Sequence, residues 1–564
     1  MGAMLTATAA GFLFSIHTRG PGGLAHCIVF QSLKIGHPVS KMMDLIPGAM
    51  KLIQNEIVAN FRVLFSLLIC VISSVILSTI ARRGRRLPLP PGPKSFPFIG
   101  YSFGPYHWRQ MEKITEKYGP VSSVKLGNNK LLVIVGRVQP ALTLLEGRSS
   151  IYCDRPQLEM AGNIMSGGLR TLCLPYGDRW KRFRRVLHSQ LDNKAATSYQ
   201  PIQERASRQL ILDIVNRPNE FTEALTRYAA SVIIKITYGK LTPIHHGDEE
   251  VVQVIKTLSR FTKAARIGAH AVDRLPWLRY IPGWVAQGRK WHQEELHLFS
   301  SQVDGVRREM NIPGKRDSCF TSYMLERQKE FSLSDNEAAY LAGSLFGAGS
   351  DTTAAALAII IFAAACHPEA ATRVQEELES VVGNGRMPTF DDYLELPLVT
   401  AFVCETFRWR PVSAAGFMHA TVKDDVYEGH FIPAGSWVIG NHWSIHRDES
   451  VFPEPENFDL NRWLKIDDKT GKTILRPEMR HFAYGFGRRR CAGITIADRS
   501  MFINTANLLW SFNIKKKKDD NGNLIELDTM AFEDATNSRP KPFEVDFVSR
   551  VPDLRRAVEE MSAY

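Results

Sequence analysis

From Val63 to Ala81 the chain runs 19 residues without a charge, and only Ser66, Ser73, Ser74, Ser78 and Thr79 interrupt the apolar side chains. That length just spans a bilayer. It is too long for an ordinary signal-peptide core, and no convincing cleavage site follows it. The pattern predicts one transmembrane helix at 63–81; the alternative is a buried helix. Residues 82–93 follow as a basic, proline-rich hinge whose fixed φ values make it a stiff spacer. Alternation into β-rich residues predicts a strand at Lys130–Val135. Helical patterns dominate from about 195 to 410. Ser334 and Glu337 form a capping box that opens a long Ala-rich helix, running to about His367 with Pro368 as its stop. Residues 411–445 are turn-rich and strand-prone, about 493–511 is helical, and Arg539–Val545 reads as a hairpin. The prediction is mainly α with a smaller β portion.

Length alone, 564 residues, would suggest three or four domains. No break in composition divides residues 94–548, and 549–564 read as a C-terminal tail. Residues 1–62 have no clear period. They read either as a targeting segment or as the result of an early start codon, with Met42, Met43 and Met50 as alternatives. The net charge of +12 is partly local, in Arg82, Arg83, Arg85 and Arg86 and in the cluster Arg179–Arg185. The arginines after 63–81 predict that the C-terminal bulk faces the cytoplasm. A basic balance suits an anionic membrane or an acidic partner; no nucleic-acid-binding motif is present, so nucleic acid ranks last. The eight cysteines include no CxxC pair, which points to a reducing compartment without structural disulfides.

Candidate chemistry gathers at five places. Cys491 lies in Tyr484-Gly485-Phe486-Gly487-Arg488-Arg489-Arg490-Cys491-Ala492-Gly493, where glycines permit close backbone approach and arginines favour a thiolate. A thiolate there is either a nucleophile or an axial haem ligand. No histidine or asparagine pattern accompanies it as a cysteine hydrolase requires. Gly347-Ala348-Gly349-Ser350-Asp351-Thr352-Thr353 sits inside the long helix, where each glycine costs roughly 1 kcal/mol relative to alanine. Either a widened turn that seats a small diatomic ligand beside a hydroxyl and a carboxylate, or a close helix crossing, offsets that cost. Glu405 and Arg408 lie one turn apart in apolar surroundings, as a buried pair or an ordinary surface pair. Trp180 and Arg184 share one face of a basic helix, which suits a carboxylate such as a haem propionate, or else a solvated face with Trp180 packed inward. Arg462, in Phe458-Asp459-Leu460-Asn461-Arg462-Trp463, says nothing by itself.

In this order, with the proline-rich hinge, these segments resemble the cytochrome P450 family of haem-thiolate monooxygenases over about residues 88–548. The resemblance implies the fold of that family across 94–548, with haem b as cofactor and Cys491 as the iron ligand. Gly487, Arg489 and Gly493 then shape the thiolate loop, and Arg489, Trp180, Arg184 and His419 meet the propionates. Glu405, Arg408 and Arg462 form a bracing triad. Asp351 and Thr352 deliver protons toward iron-bound O2, and Ala348 and Gly349 mark a kink over the haem. Tyr484 stands where the family usually has Phe, and Met418 where a proline commonly precedes the histidine. Stretches such as Ala414–Ala420 and Gly440–Asp448 are similar to fungal microsomal enzymes of secondary metabolism, including those similar to O-methylsterigmatocystin oxidoreductase. The implied setting is the endoplasmic reticulum membrane, single-pass. An NADPH–cytochrome P450 reductase supplies electrons and docks at Lys181, Arg182, Arg185 and Arg488. The implied substrate is bulky and hydrophobic, walled by the loop around Gln157–Leu169, the helix near Phe346, the Val412–Phe417 stretch and the turn near Thr536. Oxidative phenol coupling or rearrangement, and a haem- or sterol-binding protein without turnover, are the alternative functions.

Overall fold

The computed structural model describes residues 51, 58–74, 87–96, 100–127, 130–240, 248–266, 268–313 and 318–562. The chain divides into units 1–86 and 87–564. In the first, helix α1 (Val58–Ser74) carries exposed apolar side chains, Phe61 and Leu64 among them. The charge-free run is helical over its described part, Val63–Ser74, and the described helix also takes in Val58–Arg62 before it. Val75 to Ala81 and the arginine cluster lie outside the described residues, as do 1–50 with the readings made there. The described helix is thus shorter than the ~20 residues that cross a bilayer, so a transmembrane helix at 63–81 is not established.

The second unit is mainly helical. Its helices include α2 (His107–Tyr118), α3 (Asp178–Leu191), α4 (Gln200–Asn216), α5 (Phe221–Tyr238), α6 (Glu249–Ala264), α7 (Ala286–Met310), α8 (Asp335–Cys366), α9 (Pro368–Val381), α10 (Pro397–Trp409) and α11 (Ile494–Ser511). Helix α8 is the axis of the core. Its N-terminus has the expected capping box: the Glu337 amide donates to Ser334 Oγ at 3.3 Å, and the Ser334 amide to Glu337 Oε2 at 3.0 Å. By length and composition α8 could cross a membrane, but it is mostly buried within the protein, as a core helix is. Pro368 does more than stop α8: at the first position of α9 it gives up an amide that has no intrahelical partner there anyway.

One four-stranded sheet matters for the site. Strands β1 (Val121–Lys125), β2 (Leu131–Val135), β3 (His419–Ala420) and β4 (Trp437–Gly440) run in the order β1-β2-β4-β3. Strand β4 pairs parallel to β2, with Leu132 opposite Trp437, and antiparallel to β3, with His419 opposite Val438. All five β2 side chains are buried, so the apolar run reads as a covered strand. The expected hairpin at Arg539–Val545 does not form as such. Pro540 makes only an isolated bridge to Phe532, while β6 (Val545–Ser549) pairs with β5 (Phe512–Lys516). Pro540 and Pro542 lack the amide that a ladder needs. The seven described cysteines are free.

Candidate active site

The Cys491 loop is built by its glycines. Gly487 has φ +51, and a Cβ there would fall 2.2 Å from the Leu145 carbonyl oxygen, so a side chain is excluded. Gly485, at φ +76, turns the chain before it. Gly493 meets nothing within 4 Å and is the N-cap residue of α11. Its backbone hydrogen-bonds the Cys491 sulfur. The Cys491 amide in turn donates to the Tyr484 carbonyl at 2.9 Å.

The loop arginines do not make the thiol acidic. Burial pushes Cys491 above the ordinary thiol value, and the Gly493 backbone, Arg184 and Arg490 only partly offset it. Arg488 turns outward to the Tyr176 hydroxyl. Arg489 donates to the carbonyls of Cys153 at 2.6 Å and Leu174 at 2.9 Å. Burial and the nearby cations thus pull the thiol in opposite directions, and a bound metal ion would deprotonate it outright.

Cys491 lines a chamber of about 420 Å³. Trp180, Arg184, Ala348, Gly349, Thr352, His419, Gly487's neighbour Phe486, Arg489 and Gly493 line it too. Arg155, Arg170, Arg184, Arg489 and Arg490 face this space, and no aspartate or glutamate is among its described lining residues. That imbalance asks for an anion. Arg155, which the sequence reading missed, makes the point sharply. Its Nη1 donates to the Phe417 carbonyl at 2.9 Å, but its buried Nε has no partner. Burial, and then Arg489, pull its pKa down to about 9. Its sequence signal is a lone cation before Pro156, which periodicity does not rank.

Trp180 is buried on α3, with the Arg489 guanidinium 4.4 Å from its ring centre. Arg184 Nη1 donates to the Arg490 carbonyl at 2.8 Å. His419 is fixed by its Nδ1, 2.7 Å from the Tyr152 carbonyl. Because a carbonyl only accepts, Nδ1 carries the proton. Burial, reinforced by Arg155, holds the ring neutral, well below the ordinary histidine value. Its other nitrogen therefore donates to a carboxylate only once that carboxylate's charge has drawn in a proton. A dianionic haem fits this donor set: a cysteine sulfur for iron, and surplus guanidinium groups for two propionates.

The structure splits the Asp351–Thr352 pair. Thr352 lines the chamber, with its hydroxyl bonded to the Ala348 carbonyl at 2.7 Å. Asp351 is not among the lining residues; Asn537 Nδ2 donates to it at 2.7 Å and Arg539 pairs with it. Its partners Asn537 and Arg539 hold the Asp351 carboxylate, while Thr352 and its neighbour Thr353 both line the chamber. Helix α8 is α-helical throughout Asp335–Cys366, Ala348 and Gly349 included. The helix-crossing reading accounts for Gly349: a Cβ there would lie 2.6 Å from Ile233 of α5. Gly347 has no such neighbour closer than 3.9 Å.

Glu405 and Arg408 are fully buried, so theirs is not a surface pair. Arg408 donates to both carboxylate oxygens at 2.8 Å and reaches the carbonyls of Pro455, His446 and Asn457. Arg462 Nε stands 3.4 Å from Glu405 Oε1 and makes no hydrogen bond from that atom. Trp463 Nε1, at 2.9 Å, and the Asp459 amide, at 2.8 Å, complete the carboxylate. Of the expected substrate walls, the helix near Phe346 (through Leu341, Ser344 and Leu345), Val412, Ser413, Phe417 and Thr536 line the chamber, but residues 157–169 do not. Arg170, Thr171 and Leu172, with Val232 and Ile233 of α5 and Leu258 and Phe261 of α6, take their place.

The family model described as Cytochrome P450 matches residues 90–544. Cytochrome P450 monooxygenase 64 of Postia placenta is 43% identical over 467 residues, covering 83% of this chain and 92% of that protein. Cytochrome P450 monooxygenase 113 of the same fungus is 41% identical over 491 residues, covering 85% and 95%. Cytochrome P450 monooxygenase verL of Clonostachys rogersoniana is 34% identical over 513 residues, covering 87% and 92%.

Proposed function

We propose that this chain, which belongs to the cytochrome P450 family and is one of its monooxygenases, hydroxylates or otherwise oxidises a bulky hydrophobic molecule of fungal secondary metabolism. The observation that carries the reading is the chamber in which Cys491 faces a ring of arginines with no carboxylate among them. Haem b fits there, with Cys491 on the iron and Arg155, Trp180, Arg184, His419 and Arg489 around its propionates. When bound, it supplies the redox chemistry, activating O2 with electrons from an NADPH–cytochrome P450 reductase.

The chain's own residues hold the substrate and manage protons. Apolar side chains such as Val232, Ile233, Leu258 and Phe261 exclude water from the chamber. Thr352 Oγ1 passes a proton into it, and Asp351 refills that hydroxyl after loosening from Asn537 and Arg539. Glu405, Arg408 and Arg462 brace the segment from Glu454 to Trp463. The reductase meets the exposed Lys181, Arg185 and Arg488, whereas Arg182 is engaged with Glu337.

The setting we propose is the endoplasmic reticulum membrane, with the catalytic unit on the cytoplasmic side. The apolar α1 supports it, as does an exposed patch of Trp277, Tyr280, Ile281 and Trp284 beside Arg289 and Lys290. Aromatic rings next to cations suit a lipid interface.

The test is a carbon monoxide difference spectrum of dithionite-reduced microsomes carrying wild type or Cys491→Ala. The expected result is a red-shifted thiolate-type Soret band that disappears in the variant. Folded wild-type protein without that band overturns the reading.

A further inference from the structure

Arg170 differs from the other chamber arginines: it alone among the described lining arginines forms an ion pair with a carboxylate. It pairs with Glu295 of α7, and both side chains are only 6% exposed. Its Nε donates to Ser166 Oγ at 3.2 Å, and its guanidinium carbon lies 4.1 Å from the Phe261 ring centre. The second oxygen of Glu295 accepts from the Tyr340 hydroxyl on α8 at 3.0 Å. Tyr340 is held in turn by His292 Nδ1, 2.7 Å away. A loop and three helices thus fix one guanidinium in one orientation at the chamber wall.

That arrangement commits Nε and Nη2. Nη1 has no hydrogen-bond partner among the described residues. The lining beside it is mostly apolar, with Leu172, Leu258, Phe261 and Ala265 next to the hydroxyl-bearing Thr171 and Thr262. A charged donor that opens into such a chamber gains more from an acceptor carried by the ligand than it would in water. The charge of that acceptor is also decided. Glu295 already neutralises Arg170, so a ligand carboxylate would place two negative charges around one guanidinium in a low-dielectric wall. A neutral oxygen has no such penalty.

We propose that Arg170 is a specificity-determining residue whose Nη1 selects substrates bearing a neutral carbonyl-type acceptor, a ketone, quinone or lactone, on an otherwise apolar body. The inference rests on the haem-monooxygenase reading and names its substrate class more closely.

Three adamantane probes of similar size test it on the haem-loaded protein: 1-acetyladamantane, 1-ethyladamantane and adamantane-1-carboxylate. Dissociation constants come from Soret spin-state titration and, independently of haem, from equilibrium dialysis. The ketone is expected to bind about tenfold tighter than the ethyl compound, as one hydrogen bond to a charged donor allows, and the carboxylate no tighter than the ethyl compound. Arg170→Met alone strands Glu295, so the variant is Arg170→Met/Glu295→Gln, which keeps an acceptor for Tyr340. It is expected to bring ketone and ethyl compound within about twofold of each other. Parity in wild type, tight carboxylate binding, or a ketone preference that survives in the variant overturns the proposal. Should the variant not fold, the wild-type comparison of the three probes decides alone. Absence of the thiolate Soret band instead defeats the haem reading, and dialysis still reports the probe preference.

Discussion

Glu405→Leu removes the acceptor at the centre of the proximal network. In the wild type its carboxylate takes two bonds from Arg408 and one each from Trp463 Nε1 and the Asp459 amide. The substitution leaves the Arg408 guanidinium fully buried, facing only carbonyl oxygens. Stranding one partner of a buried pair costs about 3–5 kcal/mol. The orphaned Trp463 N–H adds about 1–3 kcal/mol. The sum, about 4–8 kcal/mol, rivals the whole stability of an ordinary domain, about 5–15 kcal/mol. Urea unfolding followed by tryptophan fluorescence measures it. Arg408→Met is expected to destabilise comparably, because Glu405 is then the buried charge. The double variant Glu405→Leu/Arg408→Met removes both members of the sealed pair, so it is expected to cost less than the sum of the two single changes, the remaining loss coming from the three carbonyls that Arg408 serves and from Arg462, which loses its carboxylate. Single variants that each lose under about 1.5 kcal/mol, or a double variant whose loss is the sum of the singles, refute the argument.

Glu377 of α9 caps the start of α10, accepting from the Leu398 amide at 3.0 Å, and burial raises its pKa to about 7. A raised folded value means that its contribution to stability is full below the unfolded value of 4.5 and is lost as pH rises through about 7. Glu377→Gln is therefore expected to flatten the fall in stability between those pH values, by on the order of 1 kcal/mol, in melts recorded across the range; an unchanged pH profile contradicts it. At the helix crossing, Gly349→Ala forces a Cβ to within 2.6 Å of Ile233 and is expected to cost about 1–3 kcal/mol. Adding Ile233→Ala should recover part of that loss, and a strictly additive pair in thermal melts argues against the crossing.

Much of this protein is written locally. The Ser334–Glu337 box, the helix at 493–511, the one-turn spacing of Glu405 and Arg408 and of Trp180 and Arg184, and the glycines before Cys491 all depend on neighbours within a few residues, so the sequence declares them. What the chain could not declare is what distant segments do to each other. Whether Arg408 is a surface pair or a sealed one depends on carbonyls from residues 446–457 closing over it. The requirement for glycine at 349 comes from Ile233, and Arg170 acquires its carboxylate from a residue 125 positions away. Cys491 is subject to burial as well as to its flanking arginines, and the orphaned Arg155 Nε appears only once the chamber closes around it. Hydrogen bonds along one helix turn or one loop are fixed by covalent spacing; desolvation and the charge balance of a cavity are properties of everything that surrounds it, and only the packed tertiary structure sets them.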